Sequence, residues 1–127
     1  MKTLRAVLIF WVPLIAWFLV IHNLSAIPSD ELPQIDIPFA DKVFHAVEYF
    51  ILGILLMRAF DKSCFKAGLA KSAFLAIIIS LCYGALDELY QRSVPGRACD
   101  MFDFAADAAG ALAGILIYMM DTKERRG

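Results

Sequence analysis

Several chemical signatures are missing from this chain. It holds no CxxC pair, no HExxH helix, no glycine-rich phosphate loop and no GxSxG elbow. Thiol exchange, zinc-peptidase chemistry, nucleotide cradling and elbow-type serine hydrolysis therefore find no motif here. Basic charge is not in excess either. Twelve Lys and Arg face 13 Asp and Glu, for a net charge of −1, which leaves no electrostatic footprint for nucleic acid. Cysteine is scarce, and Cys64, Cys82 and Cys99 share no metal-ligand spacing. They read as small apolar core residues without an internal disulfide. There is no internal repeat and no low-complexity tract.

What is abundant is apolar surface. Hydrophobic residues make up 61% of the 127, and the mean hydropathy is +0.67. Soluble domains carry roughly 45–50% apolar residues, so a membrane solvent is the natural reading. The length fits one domain. The apolar stretches predict an all-α, four-helix integral membrane bundle with helices over 4–24, 41–60, 72–91 and 100–120. A water-soluble bundle is disfavoured, because cores this apolar carry too little polar patterning.

The first apolar run, Ala6 to Ile21, follows Lys2 and Arg5 as a signal peptide would. It is longer than a usual signal core, and the best cleavage position, after Ala26, has the bulky Leu24 three residues back. It reads as a retained anchor, kinked at Pro13. Pro28, Pro33 and Pro38, with Asp30, Glu31 and Asp36, make the next segment a loop. Residues 61–71 form a basic loop. Pro95-Gly96 turns the chain after helix 3, and a polar tail follows residue 120.

Lys and Arg bias sets orientation. Nine fall with the two termini and the middle loop, and three (Lys42, Arg92 and Arg97) fall on the other side. Both termini are therefore expected on the cytoplasmic side of the membrane. A ruler of about 1.5 Å per residue across about 30 Å then puts one group of ionisable residues near the outer boundary. Asp41, Lys42, Gln91 and Asp100 lie at that boundary. His45, Asp87, Glu88 and Asp103 lie roughly 3–6 Å inside it, and Glu48 and Asp107 roughly 9–10 Å inside. Charge at membrane depth is costly and marks a bundle interior or a wet cavity.

The spacing puts these residues on seams. Asp100, Asp103, Asp107, Gly110 and Gly114 step by 3, 4, 3 and 4, and Ser80, Gly84, Asp87 and Gln91 by 4, 3 and 4. Asp41, His45 and Glu48 step by 4 and 3, with Tyr49 and Gly53 continuing from His45. Each step returns to one helical face. Three facing seams would be tight at their glycines and open into a polar pocket toward the exterior, with helix 1 as a brace. Asp41 and Asp100 also suit the role of helix caps. Asp87 and Glu88 do not, because they end a helix, where the dipole disfavours anions.

These positions also carry a resemblance. Asp41-Lys42-x-x-His45-x-x-x-Tyr49, Asp87-Glu88-x-x-Gln91, then Pro95-Gly96-Arg97, Asp103 and Gly110-x-x-x-Gly114 together resemble the VanZ-like family over about residues 41–114. The resemblance implies a small bacterial membrane protein. The family's founding member is associated with low-level resistance to teicoplanin. Family members usually carry Asn where this chain has Asp107, so an extra acid enters the pocket here.

Seven acids and four cationic groups border the expected pocket, and seven carboxylates at low dielectric cannot all ionise unaided. His45 with Asp41 reads as an acid–base pair, with Asp87, Glu88 and Asp103 as further catalytic candidates. Those last three also read as candidate ligands for a divalent metal. Lys42 and Arg97 would hold a phosphate or carboxylate, and Glu48, Tyr49, Gln91 and Asp107 would line the ligand. Three functions stay open: binding or turnover of a lipid-linked, cell-envelope or glycopeptide-type headgroup; a scaffold whose buried polar groups only fix packing; and a proton- or cation-coupled carrier working as an oligomer. Membrane lipids are the expected partners. The cofactor is unspecified.

Overall fold

The computed structural model describes residues 2–33, 35–63 and 66–126. Four helices follow one another: α1 (Lys2–Ser25), α2 (Ala40–Lys62), α3 (Leu69–Gln91) and α4 (Met101–Arg126). No strand occurs among the described residues. All four helices are long and apolar enough to cross a membrane. A helix satisfies its backbone internally, which lipid requires.

The helices outrun their expected ends. α3 begins at Leu69 rather than 72. α4 continues to Arg126 rather than 120, past an Asp121–Arg125 pair one turn apart at 2.9 Å that supports the last turns. α1 runs through Pro13 without a break. The cysteine reading needs correction. Cys82 and Cys99 are free thiols, as expected, but both are exposed rather than in the core. Cys82 sits two residues from Ser80, about 200° around α3 from its inward seam. Cys64 lies outside the described residues.

The apolar centre is shared by α2, α3 and α4. Leu52, Leu56 and Met57 meet Ala73, Ala76, Ala111 and Ile115, with Leu14 and Ile21 of α1 closing one side. α2 and α4 touch backbone to backbone. A Cβ on Gly110 would run into the carbonyl of Ala46, and one on Gly114 into that of Phe50. The glycine seam thus does what its spacing predicts: it removes the side chains that would hold two helices apart.

Among the described residues, α1 packs on α2 and α3 and makes no contact with α4. Its links are directional. The Trp17 indole donates to the Glu48 carbonyl at 2.9 Å, and the Tyr83 hydroxyl donates to the Phe18 carbonyl at 2.9 Å. The loop after α1 folds back over the α3–α4 turn, where the Ser29 amide donates to the Pro95 carbonyl at 3.2 Å. Gly96 in that turn has φ +73°, a conformation that favours glycine, and a side chain there would also strike Ser29. Loop and turn therefore cap the same end of the bundle.

Candidate functional site

The capped end holds a chamber of about 600 Å³. Its apolar lining comes from Leu24 and from the loop and the start of α2: Leu32, Ile35, Ile37 and Phe44. Its polar lining is Ser25, Asp41, His45, Glu48, Gln91 and Arg97. Three of these lie on α2, because positions 41, 45 and 48 share a face. Below the chamber, the α2–α4 glycine contact draws the Asp107 face of α4 onto the His45 face of α2.

The predicted residues divide into three groups. The outermost is built on Lys42. Its ammonium donates to Asp41 at 2.7 Å, Asp100 at 2.8 Å and Asp103 at 2.7 Å. Asp100 also caps α4, accepting the Phe102 amide at 2.8 Å. The hydrogen bond from Lys42, helped by the Phe102 amide, holds the Asp100 carboxyl below its ordinary value of 3.8. Asp41 does not cap α2; Phe39 precedes that helix in a left-handed conformation with φ 61°. Lys42 is thus engaged by carboxylates, which leaves Arg97 as the Lys or Arg lining the chamber among the described residues.

The second group ties α1 to α3. The Ser25 hydroxyl donates to Asp87 at 2.8 Å, and the Gln91 amide reaches Ser25 at 3.3 Å and Asp87 at 3.4 Å. Ser25 was not among the expected site residues. The one signal for it was a serine closing an apolar run, which also fits a loop start. Its placement makes α1 a contributor to the site and not only a brace. Arg97 leans on the same helix, donating from Nη2 to the Leu24 carbonyl at 3.4 Å, while its buried Nε has no partner.

The third group is the deepest. His45 Nδ1 lies 2.9 Å from Asp107 Oδ1, and Nε2 lies 3.9 Å from Asp103 Oδ2. The expected His45–Asp41 pair is therefore replaced by His45–Asp107, because Asp41 turns to Lys42 while the glycine seam brings α4 against His45. Glu88 accepts the Asp100 amide on Oε2 at 2.8 Å. Among the described residues, the group able to offer a metal one ligand atom each is His45, Glu88 and Asp107. This replaces the expected Asp87–Glu88–Asp103 trio, since Asp87 is bonded to Ser25 and Asp103 to Lys42. Tyr49 is fully buried beneath the chamber, outside its lining, and its hydroxyl has no partner.

Chemically, an imidazole held by a buried carboxylate, as His45 is by Asp107, is an arrangement that can take up or release a proton in a fixed orientation. Arg97 offers a planar cation suited to phosphate or carboxylate. Comparisons with known proteins agree with the fold. An uncharacterised protein of Schizosaccharomyces pombe is 29% identical over 94 residues, covering 73% of this chain and 55% of its own length. The chain therefore spans about half of that relative. No solved structure matches. The family model described as VanZ/LLP1 matches residues 3–121, nearly the whole chain and all four helices, so the chain belongs to the VanZ/LLP1 family.

Proposed function

We propose that this protein binds the polar head of a lipid-linked or cell-envelope molecule, drawn from the membrane into the capped chamber. The observation that carries this reading is the composition of the chamber. Its loop side is apolar, as an acyl or prenyl chain requires, and its floor is polar, with Arg97 facing in and its Nε unpartnered. In this reading Gln91 and Glu48 contact the head, His45 supplies proton transfer where a reaction follows, and Asp107 orients its ring. Lys and Arg bias supports a chamber on the extracytoplasmic side of a bacterial plasma membrane, with both termini inside. The yeast relative favours a headgroup common to many membranes over one special to bacterial envelopes. In a bacterial envelope, such binding would bear on susceptibility to glycopeptides such as teicoplanin.

The test is native mass spectrometry of lipids retained by purified protein. The wild type is expected to keep an anionic lipid that Arg97→Gln loses at least about 10-fold, the scale of one charge-assisted hydrogen bond of about 1.5–3 kcal/mol. Equal retention by both proteins would remove the headgroup reading.

The scaffold reading has its own support in Lys42, whose bonds to Asp100 and Asp103 fix α2 against the turn before α4 and against α4 itself. A carrier within one chain is not supported. Beneath the polar groups the described core is apolar, through Leu52, Leu56, Met57 and Ile115.

A further inference from the structure

Lys42 and Ser25 account for most of the acids at the capped end. The deepest group is different. His45, Glu88 and Asp107 are 7%, 3% and 1% exposed. One ligand atom from each lies within 4.8 Å of the others. Each carboxylate has one oxygen engaged and one idle. Glu88 Oε2 takes the Asp100 amide, while Oε1 has no partner. Asp107 Oδ1 faces His45, while Oδ2 has no partner. A buried acceptor left unpaired costs about 1–3 kcal/mol, more when charged. Two of them beside one imidazole are acceptors that a bound cation would satisfy.

We propose that His45, Glu88 and Asp107 form a binding site for one divalent transition-metal cation of the manganese or zinc class. Charge supports the assignment: a 2+ ion, two carboxylates and a neutral imidazole sum to zero, the state that low-dielectric surroundings favour. Donor type supports it too. Magnesium and calcium prefer all-oxygen shells, and soft metals prefer sulfur, whereas one imidazole with two carboxylates suits manganese, iron or zinc.

Distance also fits. Bonds of about 2.1 Å put neighbouring ligands about 3.0–3.4 Å apart, and His45 Nδ1 and Asp107 Oδ1 are already 2.9 Å apart. A metal there would take the place of the proton between them, and Glu88, with a ligand atom within 4.8 Å of theirs, would close the remaining distance through its flexible side chain. Three protein ligands leave an open coordination position, and His45 lines the chamber, so that position is reachable from it. The site does not depend on the headgroup reading. Metal binding is measured on apo protein without lipid, so either claim can fail while the other stands.

The experiment is titration of chelator-treated protein in detergent with Mn²⁺ alone and Zn²⁺ alone, by calorimetry and elemental analysis. The expected result is one ion per chain. Pulsed electron paramagnetic resonance of the Mn²⁺ form is expected to show coupling to an imidazole nitrogen, and this readout needs no variant. His45→Ala, Glu88→Gln and Asp107→Asn are each expected to weaken binding by at least about 10-fold. Asp121→Asn, on the exposed far end of α4, is expected to leave it unchanged. Absence of stoichiometric metal overturns the proposal. So does bound Mn²⁺ without nitrogen coupling, or equal loss in Asp121→Asn. If Glu88→Gln or the other variants fail to fold, nitrogen coupling in the wild type still decides.

Discussion

Lys42 and His45 sit three residues apart on α2, and each faces acids from α4, yet the two are neutralised in opposite ways. Lys42 gathers three carboxylates at 2.7–2.8 Å near the bundle's end. His45 shares its deeper surroundings with two carboxylates that each keep an oxygen unpartnered. The first arrangement is complete and acts as a clamp. The second is incomplete and is the better candidate for chemistry. Local sequence looks the same for both; the difference lies in what the partner helices bring.

The sharpest way to break the comparison is to reverse the sign of a mutation. Lys42→Met leaves three carboxylates facing one another, and about 2–3 kcal/mol of stability is expected to be lost, read as a lower denaturation midpoint in detergent. Glu88→Gln is expected to do the opposite in chelator, adding about 1 kcal/mol of stability, read as a higher midpoint, because it removes a buried charge and keeps an acceptor for the Asp100 amide. In saturating Mn²⁺ the order is expected to reverse, since only the wild type gains from metal binding. If both variants destabilise equally in chelator, the two groups are one clamp.

The smallest effect concerns Asp100, which lies just before α4. Its carboxyl is held below the ordinary 3.8 by the Lys42 ammonium first and the Phe102 amide second. A lowered folded value means the group stabilises the fold above its unfolded pKa and loses that contribution as pH falls through the folded value. Asp100→Asn is therefore expected to flatten the fall in denaturation midpoint below about pH 4. A curve parallel to wild type would show that Lys42 does not discriminate among its three partners.

The four helices were legible in the residues because lipid demands long apolar runs, and the Gly110–Gly114 contact was legible because glycine at that spacing has few other uses. The pairing of the polar groups was not. Periodicity gives the face of each helix, but the partner depends on how neighbouring helices are rotated and staggered. That is why His45 meets Asp107 rather than Asp41, and why Glu88 rather than Asp87 joins it. Ser25 was hidden for another reason. Its role depends on the loop after α1 folding back over Pro95, a contact between segments 66 residues apart that leaves no local pattern.

The close approach of α2 and α4 has a consequence for biogenesis. His45 enters the membrane with the second span, but Asp107 arrives only with the last. Until α4 is made, His45 lacks Asp107, the carboxylate that lies 2.9 Å from its ring in the finished fold. Glycines 110 and 114 then let the last helix seat against the second. A chain truncated before α4 would present its ionisable groups to lipid, which makes it a natural target for membrane quality control.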